Sequence, residues 1–138
     1  MAFTGNVTCN SFKTGLMNGS FDFSTDTFYI ALYTNAATLD YSTTEYTSTG
    51  EVVASGYSAS PLTVTVTPTT GGSGTVSYIS FSNVSWTAAF TARGALIYKP
   101  GANGAVCVLD FGSDKTSTTT FTVQFPAATN TSAIIRIA

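Results

Sequence analysis

The sequence predicts an all-β fold, a β-sandwich or jelly-roll-like barrel of about seven to nine strands with one short N-terminal helix. Three observations predict it. Apolar and polar residues alternate with period two in several short runs, and clusters of Gly, Pro, Asn and Asp separate those runs. The chain of 138 residues has the length of one ordinary domain, so residues 1–138 read as a single β-rich domain without internal repeat or compositional break. At 43% hydrophobic residues, with 10 Phe and 7 Tyr, it holds enough apolar material for one core.

In chain order the helix comes first. Asn10 stands as its cap, Phe12, Leu16 and Met17 form its apolar positions, and Gly19 ends it. Thr27–Tyr33 follows as a strand apolar on both faces, with Phe28, Ile30 and Leu32 opposite Tyr29, Ala31 and Tyr33, which makes it central or covered. Residues 35–61 carry the weakest regular pattern. A loop of that length in a small domain is usually functional or disordered, and its Tyr41, Tyr46, Glu51 and Tyr57 are candidate contact residues.

Leu62–Thr67 alternates cleanly, Leu62, Val64 and Val66 on one face and three threonines on the other. Glycines in Thr70–Gly74 turn it into Thr75–Phe81, a hairpin. Trp86 alternates with Val84 and points to the core, although it and the tyrosines have the chemistry to stack on a sugar ring. Arg93 stands at the entrance to a strand, where it can pair with an acid inside the domain or across a subunit boundary. Gly94–Tyr98, Ala105–Phe111 and Ala133–Ile137 carry successive apolar side chains and read as inner strands. Pro100–Gly104 joins the first two. Gly112–Lys115, flanked by Asp110 and holding Asp114, reads as a turn before the alternating run Phe121–Phe125.

Charge is the unusual quantity. Only 9% of residues are charged, against about 25% in ordinary soluble domains, and 42 are Ser or Thr. Five scattered cations (Lys13, Arg93, Lys99, Lys115, Arg136) and a net charge of −2 do not match a row of phosphates, which argues against nucleic-acid binding. Histidine is absent, and with it the commonest general base and metal ligand. No Ser-x-x-Lys spacing offers a lysine base to a serine nucleophile, so no enzyme activity and no cofactor are expected. Asn18 and Asp22–Asp26 gather oxygens that could face Ca²⁺, but the pattern lacks the ligand density of a calcium loop and reads as a polar connection. Cys107 lies in an apolar run and reads as an inert buried thiol. No apolar run approaches the ~20 residues of a membrane span, and the first residues lack a secretion signal, so use without export is expected.

Burying Lys or Glu at a protein contact costs desolvation and side-chain entropy, whereas a hydroxyl loses less and can bond backbone or water. A neutral, hydroxylated exterior therefore suits dense arrays, in which a large charge on each copy would accumulate repulsion.

Three stretches carry a resemblance: Phe28-Tyr29-Ile30-Ala31-Leu32-Tyr33-Thr34, Gly50–Tyr57, and Ser85-Trp86-Thr87 leading to Ala92-Arg93-Gly94-Ala95-Leu96-Ile97-Tyr98. Across most of its length the chain resembles small virion structural proteins of tailed bacteriophages. The resemblance implies a capsid cement or decoration protein, made in the bacterial cytoplasm and placed on the outer surface of the icosahedral shell. Its partners would be the major capsid protein and itself, as a dimer or trimer, with no nucleic acid and no membrane. Tyr41, Tyr46, Glu51, Tyr57 and Arg93 are the candidate interface. A tail or fibre component and a carbohydrate-binding β-sandwich module are the alternative expectations.

Overall fold

The computed structural model describes residues 3–70 and 76–137. It is mostly β, with one short N-terminal helix and several antiparallel sheets, none closed into a barrel. The barrel alternative is thus not met, and the described residues form ten strands where about seven to nine were expected.

The largest sheet has five strands in the order β1 (Val7–Thr8), β8 (Ala105–Thr116), β7 (Thr91–Tyr98), β2 (Phe28–Tyr33) and β3 (Ser60–Leu62). β2 lies inside it, between β7 and β3, and both of its faces are covered as its composition demands. Phe28, Ile30 and Leu32 join the main core, which packs them with Ile79, Phe81, Trp86, Phe121 and Val123 from the smaller sheets and with Phe125 just beyond them. Ala31 and Tyr33 face a second cluster with Phe3, Cys9, Ala37, Leu39, Leu96 and Val108. A strand buried on both faces cannot alternate, which is why this run reads as continuously apolar.

Two smaller sheets complete the β structure. One orders β10 (Ile135–Ile137), β5 (Ser77–Phe81) and β4 (Val64–Thr70); the other pairs β6 (Val84–Trp86) with β9 (Phe121–Val123). The alternating run at Leu62–Thr67 is therefore divided. Leu62 closes β3 in the large sheet, Val64 opens β4 in the three-stranded one, and the intervening Thr63 carbonyl accepts the Ser82 amide at 2.9 Å. The glycine turn expected over Gly71–Gly74 lies outside the described residues. β10 is an edge strand with its last two residues exposed, so the inner strand expected at Ala133–Ile137 is corrected.

The helix α1 covers Asn10–Asn18. Gly19 ends it in the left-handed region at φ 78, which glycine adopts without steric cost. Asn10, expected as the cap, is the first helical residue. Cys9 occupies the cap position and uses only its carbonyl, which accepts the amides of Phe12 at 3.1 Å and Lys13 at 3.2 Å. Phe12 is buried while Met17 is 84% exposed, so the packed face is narrower than the apolar spacing suggested.

Gly112–Lys115 is also corrected. These residues continue β8: a step of two residues on β7, Ala92 to Gly94, faces a step from Asp110 to Lys115 on β8. The excess forms a bulge, with Gly112 at φ 82.

Candidate functional site

The long loop is ordered around one carboxylate. Glu51 pairs in a single bridge with Tyr33, and its two oxygens accept the hydroxyls of Tyr57 at 2.8 Å and Tyr46 at 2.5 Å. The Tyr57 hydroxyl accepts the Leu32 amide at 2.8 Å, which anchors the loop to the interior strand. Tyr33 donates to the Thr47 carbonyl at 2.7 Å, and Tyr46 stacks on Tyr98 with ring centroids 5.0 Å apart. The bond to Glu51 pushes the Tyr46 phenol up to about 12, because the carboxylate accepts from the neutral form and repels the phenolate. Burial, followed by the charge of Glu51, raises Tyr33 and takes Tyr98 to about 12. Burial is also the main cause that raises Tyr57.

Three of the candidate residues, Tyr46, Glu51 and Tyr57, thus form one hydrogen-bonded unit. Tyr41 is 57% exposed and makes no side-chain hydrogen bond with that unit among the described residues. Arg93 is engaged elsewhere. Its guanidinium donates to Asp110 at 3.1 Å and lies 5.8 Å from the Phe3 ring centroid, with both charged side chains largely buried. The pairing that the sequence left open is internal. Asp110 also accepts the amides of Gly5 at 2.9 Å and Gly112 at 2.8 Å, so it ties the N-terminal segment and the bulge to β7.

Tyr33 and Tyr98 complete the tyrosine cluster, although their sequence pattern marks both only as strand residues. Alternation signals that a side chain is buried but not which loop it receives. A second feature, also unforeseen, is an apolar groove of about 420 Å³ lined by Phe12, Leu16, Phe21, Phe23, Ile79 and Ile137. Val53, in the middle of the loop, is 96% exposed.

The other candidates keep structural roles. Trp86 is buried and its indole N–H donates to the Ser58 carbonyl at 2.8 Å, so its ring is not open as a sugar platform, while the half-buried Tyr57 packs against Trp86 and Phe90. Asp26 accepts the Lys99 ammonium at 2.9 Å and the Asp22 amide at 2.8 Å, and these bonds hold its carboxyl below the usual range. No metal-binding group of His, Cys, Asp and Glu occurs among the described residues. Cys9 and Cys107 are buried free thiols, raised by burial to about 11 and about 12. Among the described residues no helix is long and apolar enough to cross a membrane.

Replacing Tyr57 with phenylalanine tests the unit. The substitution keeps the ring and removes the one group that bonds both Leu32 and Glu51. It is expected to cost about 1–3 kcal/mol, because the Leu32 amide is left without a partner, and to expose the loop to limited proteolysis.

The chain matches no protein-family model, no curated protein and no solved structure.

Proposed function

We propose that this protein is a capsid decoration protein of a tailed phage, bound to the outside of the icosahedral shell and bridging major capsid subunits. The observation that carries the reading is the chemistry of the exterior. Two of the five cations, Arg93 and Lys99, are bound to acids within the domain, and Glu51 is held by two phenols. What remains outside is largely Ser and Thr, with apolar side chains such as Val53, Met17 and Tyr41 set among them. Covering such a surface costs little desolvation, and copies packed side by side repel weakly. We read the large sheet opposite two smaller ones as a β-sandwich, a rigid support for that exterior.

The mechanism is mass action. Copies that bind the mature shell and not its precursor stabilise it by the sum of their binding free energies, without chemistry. Self-association as a dimer or trimer would match the symmetry axes of the shell. Of the interface candidates, Tyr41 and Tyr46 are exposed enough to meet a partner, whereas Arg93 acts within the fold.

Copy number tests the proposal. Quantitative mass spectrometry of purified particles is expected to find on the order of hundreds of copies per particle, as shell symmetry requires of a decoration protein. A count of roughly ten would place the protein in the tail, since a single symmetry axis serves that structure. Absence from particles would end the phage reading altogether.

A further inference from the structure

The chain contains two Asn-Gly pairs, Asn18-Gly19 and Asn103-Gly104, and the fold holds them in opposite ways. An asparagine before glycine is chemically labile. The glycine amide nitrogen attacks the asparagine Cγ, ammonia leaves with the side-chain nitrogen, and the resulting five-membered imide is opened by water to aspartate or isoaspartate. The reaction needs the glycine nitrogen and the side-chain carbonyl carbon to meet, so hydrogen bonds on either group slow it.

At Asn18 both groups are engaged. Asn18 closes α1, and the Gly19 amide donates to the Gly15 carbonyl in the helix-ending turn. The Asn18 side-chain oxygen accepts the Ser20 amide at 3.1 Å and the Ser20 hydroxyl as well. Helical backbone geometry also keeps the next nitrogen turned along the helix, away from Cγ.

At Asn103 neither group is held. Asn103 is exposed, adopts φ 59 in the connection between β7 and β8, and its side chain makes no hydrogen bond among the described residues. The Gly104 amide donates to no backbone carbonyl among them, although the Gly104 carbonyl accepts the Lys99 amide at 2.8 Å. Glycine is required there for a separate reason: a Cβ on residue 104 would overlap the Lys99 carbonyl. The packing that demands glycine buries residue 104 at the close of the turn, while the asparagine before it stays exposed with its side chain unrestrained.

We propose that Asn103 is a site of spontaneous deamidation in the folded protein, and that Asn18 is its protected counterpart. Each event adds one negative charge to a chain whose formal charge is −2, next to the Lys99 that serves Asp26. The isoaspartyl product also lengthens the main chain of the hairpin connection by one carbon. The modification would therefore mark the age of a molecule by its charge.

The test incubates the purified full-length protein in mildly alkaline buffer and follows both sites by peptide mapping with fragmentation that separates aspartate from isoaspartate. In the native protein Asn103 is expected to react about tenfold faster than Asn18, the ratio that corresponds to ~1.4 kcal/mol of local opening at the helix end. In concentrated guanidinium chloride the two rates are expected to converge, because the flanking chemistry is the same Asn-Gly pair. Equal native rates, a faster reaction at Asn18, a native protein inert at both sites, or a preference that persists undiminished in denaturant would each overturn the proposal.

Discussion

Trp86→Ala is expected to lower the free energy of unfolding by about 3–5 kcal/mol, the range for deleting a buried aromatic side chain. The ring is 6% exposed and meets Tyr57 at 5.9 Å and Phe121 at 6.5 Å between centroids. Its removal leaves a cavity where the β6–β9 sheet packs on the core and strips the Ser58 carbonyl of its donor. Trp86→Phe separates the two contributions. It restores most of the packing and should remain about 1 kcal/mol below the parent, the usual net value of one hydrogen bond. Urea unfolding with an unchanged slope is the measurement. A loss under about 1 kcal/mol for the alanine variant would mean that the ring is dispensable to the core and available as a platform.

Alkali is expected to unfold the protein between about pH 9 and pH 12. The folded state raises Cys9 to about 11, Cys107, Tyr46 and Tyr98 to about 12, and raises Tyr33 and Tyr57 as well. Burial dominates in every case except Tyr46, where the bond to Glu51 comes first. A group with a raised folded pKa binds its proton more tightly in the native state. Its stabilisation is therefore complete below the unfolded pKa, near 9 for the thiols, and drains away as pH climbs through the folded value. At ~1.4 kcal/mol per unit the two thiols alone represent several kcal/mol, while the partly exposed Tyr46 contributes less because solvent screens it. Domains are stable by only about 5–15 kcal/mol, so denaturant midpoints measured at rising pH should fall steeply beyond pH 10. The phenolate absorbance contributed by Tyr33, Tyr46, Tyr57 and Tyr98 should lag until unfolding begins. A midpoint that stays constant across this range would show that these groups ionise without cost.

Much of this architecture is legible where composition alone sets the outcome. The run Phe28–Tyr33 is apolar on both faces and lies under two clusters, one on each side of the sheet. Phe121, Val123 and Phe125 are buried while Thr122 and Gln124 are exposed, as alternation requires. Gly19 ends the helix because no other residue takes its backbone angles so freely. The site was legible only in part. The loop tyrosines and Glu51 stand out as residues, but their convergence depends on Tyr33 and Leu32, which arrive from an interior strand.

Local pattern therefore determined which side chains of Phe28–Tyr33 and Phe121–Phe125 are buried, where the helix stops, and that the exterior is poor in ions, since each follows from the identity of neighbouring residues. The tertiary structure decided the rest: the division of Leu62–Thr67 between two sheets, the bulge at Gly112, and the pairing of Arg93 with Asp110 and of Lys99 with Asp26. Those outcomes join residues distant in the chain. Alternation records which face of a strand is apolar and carries no term for which strand lies beside it, so partners are chosen only when the whole core closes.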